Sequence, residues 1–241
     1  VEIIIFTPLV FLVPAPTPYI WSLIIASAFL HGFYRLLVVY SYKFGDLSFI
    51  YPVARGGSSL LLVFISIIYL SDKISVMGLS AILIICFGLF LISYSKKEKF
   101  NRAAFTLACL TALMIATYTL VDGVGVRHSS NGYTFLFWML ALNGIPPLIV
   151  SLLFKRKGLR NFNKDLLIKG LGFGILAPFA YGLVVWSMQY IPIAYASAIR
   201  ETSIIFATLL GFFILREKKA KTRVLPAICV VIGIGMLYFQ L

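Results

Sequence analysis

Apolar residues fall into long runs along the chain, and short polar segments separate the runs. A run of about 20 residues with few charges is long enough for a helix to cross the hydrocarbon core of a bilayer. The pattern predicts membrane-spanning helices at 19–42, 47–70, 76–94, 103–121, 133–154, 166–188, 193–215 and 224–239. Pro146 and Pro147 predict a kink within the 133–154 helix, because proline removes a backbone donor. The first run, Ile3–Val13, is too short to span alone, so we expect a sequence truncated at its start.

The composition restricts the class of protein. Hydrophobic residues make up 61% of the chain and charged residues only 12%, which excludes an ordinary soluble domain. The net charge of +13 lies mainly in short loops, so membrane topology explains it better than nucleic-acid binding does. The basic loops 95–102, 155–164 and 216–223 alternate onto one side, which the positive-inside rule makes cytoplasmic. The three cysteines lie singly within predicted helices, and we expect neither a disulfide nor a metal site.

Two predicted helices carry charges in their interiors. Arg200 and Glu201 are adjacent within 193–215, and Arg55 lies within 47–70. Because ionised side chains are costly in hydrocarbon, these residues are candidates for substrate binding, with Arg200 attracting an anionic group and Glu201 taking up a proton or a cationic group. The alternative is a structural charge network. Neighbours on a helix do not face each other, so we expect Glu201 to pair with Arg55 or with a substrate amine. Arg55 could instead reach carbonyls at a helix broken near Pro52.

Three further polar residues are candidates for substrate binding. His31 and Arg35 are four residues apart and share one helix face, where the alternatives are a binding role or packing and snorkelling. Asp122 is predicted to lie where its helix runs into a glycine-rich turn, and a turn residue is the alternative to a binding residue. Four aromatic residues could line a binding cavity or serve as packing and interface residues instead: Tyr51, Tyr195, Trp138 and Trp186.

The chain also contains a divergent internal repeat. An offset of 145 residues superposes Arg55 on Arg200, Asp72 on Glu217 and Gly88 on Gly233. We therefore predict a first repeat at 1–97 and a second at 98–241. The second half has five predicted helices, so the full plan is ten helices with the first missing and the second partial. Because five is odd, the two repeats should cross the membrane in opposite senses, as in secondary transporters.

Three motifs in the chain resemble the EamA-type branch of the drug/metabolite transporter superfamily. They are YKFGDLSFIYPVARG at 42–56, YTLVDGVGVR at 118–127 and AIRETS at 198–203. The resemblance implies an all-α polytopic membrane protein of two inverted five-helix repeats, which moves a small metabolite or drug-like solute through a central cavity. It also implies residence in the bacterial inner membrane. Family members usually have the C-terminus inside, whereas the basic loops place it outside, so the orientation stays open.

Together these observations predict a secondary transporter that works by alternating access. The expected partners are the lipid bilayer and a small-molecule substrate, with a homodimer left open, and we expect no nucleic acid, cofactor or catalytic residues. Glu201 is the candidate for proton coupling, since it is the only carboxylate deep in a complete predicted span. Three alternatives remain: a flippase of a lipid-linked sugar, a non-transporting scaffold or accessory subunit, and a membrane enzyme. An enzyme would need clustered catalytic groups that the sequence does not offer.

Overall fold

The computed structural model describes residues 2–45, 47–70, 72–94, 101–154, 164–209 and 224–240, and the regular elements within these ranges are helical. The helices are α1 Glu2–Val10, α2 Pro18–Ser41, α3 Leu47–Tyr69, α4 Val76–Tyr94, α5 Arg102–His128, α6 Gly132–Leu142, α7 Ile145–Phe154, α8 Lys164–Ser187, α9 Ile193–Ile199, α10 Ser203–Leu209 and α11 Val224–Tyr238. A 3₁₀ turn, Arg200–Thr202, joins α9 to α10.

The described helices fit a polytopic membrane protein. Five segments are long and apolar enough to cross a bilayer: 18–41, 49–69, 102–128, 132–150 and 170–187. The apolar stretches 76–92 in α4 and 224–238 in α11 are shorter. Large apolar side chains such as Phe29, Phe64 and Leu176 are exposed on these helices, as expected where lipid takes the place of water. The all-α polytopic fold predicted from the sequence is therefore confirmed.

The helices form two compact units. The first unit comprises residues 1–35 and 118–190, and the second comprises 36–117 and 191–241. In the first unit α1 packs against α6 and α8, and in the second α4 packs against α3 and α11. Each unit takes helices from both predicted repeats, so the units do not coincide with 1–97 and 98–241. The inverted repeat remains a prediction.

Small residues bring α4 and α11 close together in the second unit. A Cβ atom added at Gly88 would lie 2.9 Å from the Pro226 carbonyl oxygen, and one added at Gly233 would lie 2.8 Å from that of Ala81. Only residues without a side chain permit this approach.

Two helices continue where the sequence predicted an interruption. α5 runs through Asp122 and Gly125 to His128, so the predicted glycine-rich turn is wrong. Gly125 serves packing instead, because a Cβ atom there would lie 2.1 Å from the ring of Phe135. α3 likewise runs unbroken through Pro52, so a broken helix near that proline is also wrong. Proline there removes only one hydrogen bond from the helix.

Two predicted helices are interrupted. The 133–154 helix breaks at Asn143 and Gly144, while Pro146 and Pro147 lie in the first turn of α7, where a missing N–H is tolerated. The predicted helix 193–215 is not continuous either, since the 3₁₀ turn interrupts it at the charged pair. The basic loop 216–223 and most of the basic loops 95–102 and 155–164 lie outside the described residues.

Candidate functional site

The intramembrane charges of the second unit meet in one cluster. Arg55 of α3 donates a hydrogen bond from Nε to Oε2 of Glu201 at 3.2 Å. Its Nη2 lies 2.9 Å from Oε1 of the same carboxylate. Glu201 is completely buried, and the side chain of Arg55 is only 12% exposed. A desolvated carboxylate held at two points by a guanidinium is a strong contact that fixes the relative position of α3 and the 3₁₀ turn.

Arg200 belongs to the same cluster but is only loosely held. Its Nε lies 3.9 Å from Oε1 of Glu201, and its Nη2 lies 3.5 Å from Oγ of Ser197. Arg200 Nε is buried and has no hydrogen-bond partner among the described residues, whereas Glu201 Oε1 is already in ion-pair contact with Arg55. With two arginines and one carboxylate, the cluster carries one net positive charge. A buried donor with unused hydrogen-bonding capacity therefore lies beside a carboxylate that is shared with a second arginine.

The charged pair lies at a break in its helix. Arg200 and Glu201 are in the 3₁₀ turn between α9 and α10, where successive side chains are about 120° apart, so it is the length of the arginine side chain that brings its Nε to 3.9 Å from Glu201. A 3₁₀ segment in the middle of a membrane helix often marks a hinge or a binding site. The turn thus concentrates charge where the backbone is least regular.

Tyrosines lie beside this cluster. The Tyr51 ring centroid is 5.6 Å from Cζ of Arg55, close enough for a cation–π contact, and Tyr51 is 38% exposed. Partial burial raises the pKa of the Tyr42 phenol, and the neighbouring Tyr51 raises it further. The Tyr42 phenol is therefore a neutral hydroxyl at physiological pH.

A second polar cluster lies in the first unit around Asp122. This carboxylate is completely buried on α5 and accepts hydrogen bonds from Ser27 of α2 and from Tyr181 of α8, the latter at 2.6 Å. Nε2 of His31 lies 3.0 Å from its Oδ2. The His31 ring also stacks on Tyr118, with centroids 4.0 Å apart and planes tilted by 30°. The cluster pins three helices around one carboxylate.

His31 and Arg35 share a helix face but have different partners. Arg35 donates from Nη1 to the Asn143 carbonyl oxygen at 2.8 Å and pairs with the Glu2 carboxylate at 3.2 Å. The Asn143 carbonyl lies at the break between α6 and α7, where backbone groups lose their helical partners. Arg35 thus stabilises the broken helix in this structure, and its predicted binding role stays a prediction.

The remaining aromatic candidates have contacts of their own. Trp138 packs edge-to-face on Trp21 with ring centroids 4.7 Å apart, and its Nε1 is buried without a hydrogen-bond partner among the described residues. Trp186 packs edge-to-face on Tyr190 near the end of α8. Tyr195 is buried, and its hydroxyl accepts a hydrogen bond from the backbone N–H of Ser75. The binding roles predicted for these three residues remain untested predictions.

Comparison with known proteins assigns the family. The EamA-like transporter family matches residues 102–239, which is more than half of the chain. The chain belongs to the EamA-like transporter family. No match is found among curated proteins. The family match confirms the resemblance that the sequence motifs indicated, and it includes Asp122, Arg200 and Glu201.

Membership of the EamA-like family gives the structure a functional class. The protein is an integral, multi-pass membrane protein, and the family consists of membrane transporters of small solutes rather than enzymes. Within the described residues, no group of three or more His, Cys, Asp or Glu side chains is placed to hold a metal ion.

The sequence did not single out three residues around Asp122. Ser27, Tyr118 and Tyr181 contact the Asp122–His31 pair. Each lies in an apolar run, where a serine or tyrosine is more often a packing residue. The available signal was that Asp122 and His31 each needed a polar partner within the membrane, which directs attention to hydroxyl groups on neighbouring helices.

Proposed function

We propose that this protein is a secondary transporter that carries a small organic solute across the bacterial inner membrane by alternating access. The observation that carries the proposal is the buried Arg200 Nε, which has no hydrogen-bond partner among the described residues and lies 3.9 Å from Oε1 of Glu201 in the second unit. Buried polar groups almost always have partners, so a buried guanidinium donor without one, beside a carboxylate, is the arrangement expected of a ligand site.

The chemistry of the two atoms indicates the substrate class. Arg200 supplies a guanidinium that suits a carboxylate or a phosphate. Glu201 Oε1 supplies an acceptor for an ammonium or hydroxyl group. The net positive charge of the cluster favours a ligand whose anionic group dominates. We infer a solute that carries an anion and a hydrogen-bond donor close together, as amino acids and hydroxylated or phosphorylated metabolites do.

The local backbone supports a moving site. The 3₁₀ turn divides the membrane segment of Arg200 and Glu201 into two short helices, α9 and α10. Discontinuous helices of this kind form the substrate sites of many secondary transporters. In such a helix, one half can move while the other half keeps its contacts. Arg55 holds Glu201 throughout, so Arg200 is the member of the cluster with freedom to engage the solute.

Transport by the purified full-length protein in proteoliposomes tests the proposal. Saturable uptake and counterflow are measured with pools of amino acids, nucleosides and sugar phosphates. A charged hydrogen bond contributes about 1.5–3 kcal/mol, so Arg200→Met should lower flux at limiting solute by about 10- to 100-fold. Arg102→Met removes an exposed arginine and is the matched control, which should transport like the parent.

Two results would contradict the proposal. Unchanged flux in Arg200→Met would remove the site from the cluster. An absence of saturable flux from every pool, with protein shown to be folded, would refute solute transport and favour a lipid-linked substrate or a non-transporting role.

A further inference from the structure

The polar cluster of the first unit has the composition of a proton site. Asp122 and His31 are both buried, and they face each other between α5 and α2 at 3.0 Å. Chains of carboxylate and imidazole groups within membrane helices commonly carry protons, because both groups can be neutral or charged and both are costly to bury without a purpose. The solute site proposed above does not use this cluster.

The hydrogen bonds define where a proton is already present. Asp122 accepts from the Ser27 hydroxyl at Oδ1 and from the Tyr181 hydroxyl at Oδ2. We assign the third contact to an N–H of His31 Nε2 that donates to Oδ2, the arrangement in which Asp122 acts as an acceptor in all three contacts. His31 therefore donates to Asp122, and its other nitrogen, Nδ1, is the acceptor. The structure records no hydrogen-bond partner for Nδ1 among the described residues.

The surroundings would stabilise a second proton on His31. Protonation at Nδ1 forms an N–H bond and converts the ring to an imidazolium, which then faces the Asp122 carboxylate at 3.0 Å. The Tyr118 ring, 4.0 Å away, offers its π-face to the same cation. The side chain of His31 is 8% exposed, whereas that of Asp122 is fully buried, so a proton enters through the imidazole.

Among the residues of the first unit whose side chains the structure describes, no other charged group contacts the pair. The titratable groups that face the pair are Tyr118 of α5 and Tyr181 of α8, and Tyr34 of α2 packs on the Tyr118 ring. Of the described charged side chains, Glu2 pairs with Arg35, and Arg127 donates to the Met188 carbonyl. His128, the second of the chain's two histidines, is exposed at the end of α5.

Glu201 is less suited to this task than the sequence suggested. Its carboxylate is held at two points by Arg55, and taking up a proton would remove the charge that makes this contact. Binding and release of a proton at Glu201 would therefore disturb the solute cluster itself. At His31 the same step leaves the hydrogen bond to Asp122 in place.

We propose that the His31–Asp122 pair, supported by Tyr181, binds one proton per cycle at Nδ1 of His31 and thereby couples transport to a proton gradient. This inference rests on the transport function proposed above. The proton is taken up from one side of the membrane and is released to the other side after the conformational change, with no other bond made or broken.

Histidine NMR measures the proton directly and needs no substrate. The full-length protein is labelled with ¹⁵N-histidine in lipid nanodiscs, and His128→Gln leaves His31 as the chain's only native histidine. We expect the neutral ring to be the Nε2–H tautomer, and the ¹⁵N shift of Nδ1 to report the added proton when the pH is lowered. Asp122→Asn should lower the proton affinity of His31 by at least about 10-fold, because the opposing charge is lost. A ring that does not titrate between pH 4.5 and 9, or that titrates identically in Asp122→Asn, would overturn the proposal.

Flux measurements test the coupling. Counterflow exchanges solute without net proton movement, whereas accumulation against a gradient requires the proton. Accumulation is driven by an imposed pH gradient and is divided by the counterflow of the same variant. This ratio should be at least about 10-fold lower in His31→Gln than in the parent, and His128→Gln should match the parent. If the parent shows counterflow and His31→Gln keeps the parent's ratio of accumulation to counterflow, only the coupling proposal is refuted. The same conclusion follows if this ratio falls in Glu201→Gln but not in His31→Gln. No counterflow in the parent would instead refute transport itself.

Discussion

Breaking the Arg55–Glu201 pair should destabilise the protein far more than removing the pair as a whole. The carboxylate is completely buried and the guanidinium is 12% exposed, so removing one partner leaves a charge with little water around it. Losing one partner of a buried ion pair costs about 3–5 kcal/mol in soluble proteins, and a charge at the centre of a membrane helix costs about 2.5–3.5 kcal/mol. The two ranges overlap near 3 kcal/mol, which is about a 100-fold change in the ratio of folded to unfolded protein.

The geometry predicts that the two single variants differ. Glu201→Gln leaves Arg55 and Arg200 as two buried cations with no carboxylate, and we expect the full loss of about 3 kcal/mol. Arg55→Met leaves Glu201 beside Arg200, whose Nε is already only 3.9 Å away, so this variant should lose less. The double variant, with both Arg55→Met and Glu201→Gln, keeps the net charge of the parent cluster. Its free energy of unfolding should be within about 1 kcal/mol of the parent's, since buried pairs often contribute little net stability.

The assay is reversible unfolding by SDS in mixed micelles, followed by the helical circular dichroism signal. The double-mutant cycle should give a coupling energy of about 2 kcal/mol or more. Arg102→Met removes an exposed arginine and should leave the unfolding free energy within about 0.5 kcal/mol of the parent. The reasoning is refuted if the double variant loses the sum of the two single losses, or if Arg55→Met costs more than Glu201→Gln.

Two further predictions concern packing in the second unit and use the same unfolding assay. Gly78→Ala places a Cβ atom 1.9 Å from the buried Tyr195 hydroxyl and should lower the free energy of unfolding by about 1–3 kcal/mol. Gly235→Ala, where a Cβ atom would have nothing within 4 Å, is the control and should leave it unchanged. Equal losses in the two variants would show that the contact with Tyr195 does not matter. Asp72→Ala removes the carboxylate that accepts a hydrogen bond from the Ile193 N–H at the start of α9. We expect the free energy of unfolding to fall by about 1 kcal/mol. An unchanged unfolding midpoint would exclude a capping role for Asp72.

The membrane helices could be predicted from the sequence because a bilayer leaves the backbone few choices. Within hydrocarbon every N–H and C=O must be satisfied internally, so an apolar run of sufficient length becomes a helix. The interruptions were harder to predict. The run around Arg200 contains no glycine or proline at the 3₁₀ turn, and the break there coincides with the contact between Glu201 and Arg55, which is 146 residues away in the chain. At Asp122 a glycine-rich motif predicted a turn, but Phe135 packs against Gly125 and α5 continues.

The candidate site could be predicted in part. Intramembrane charge singled out Arg55, Arg200 and Glu201, and pairing with Arg55 was one of the two alternatives for Glu201. The surroundings of Asp122 could not be predicted, because its partners Ser27 and Tyr181 lie 95 and 59 residues away and have no charge to mark them. Residue type indicates that a buried carboxylate needs donors, but only the packing of the helices decides which hydroxyl groups supply them.

The 146 residues that separate Arg55 from Glu201 also set a delay during synthesis. A ribosome that adds about 5–20 residues per second needs roughly 7–30 s to make Glu201 after it has made Arg55. During that time α3 carries a guanidinium without its carboxylate, at an insertion cost of about 2.5–3.5 kcal/mol if the charge lies at the centre of the bilayer. The apolar residues that follow Arg55 must therefore suffice to hold α3 in the membrane, and a chain that stops between the two residues retains an uncompensated buried charge. The order of synthesis makes pairing at Glu201 one of the last steps in assembling the second unit.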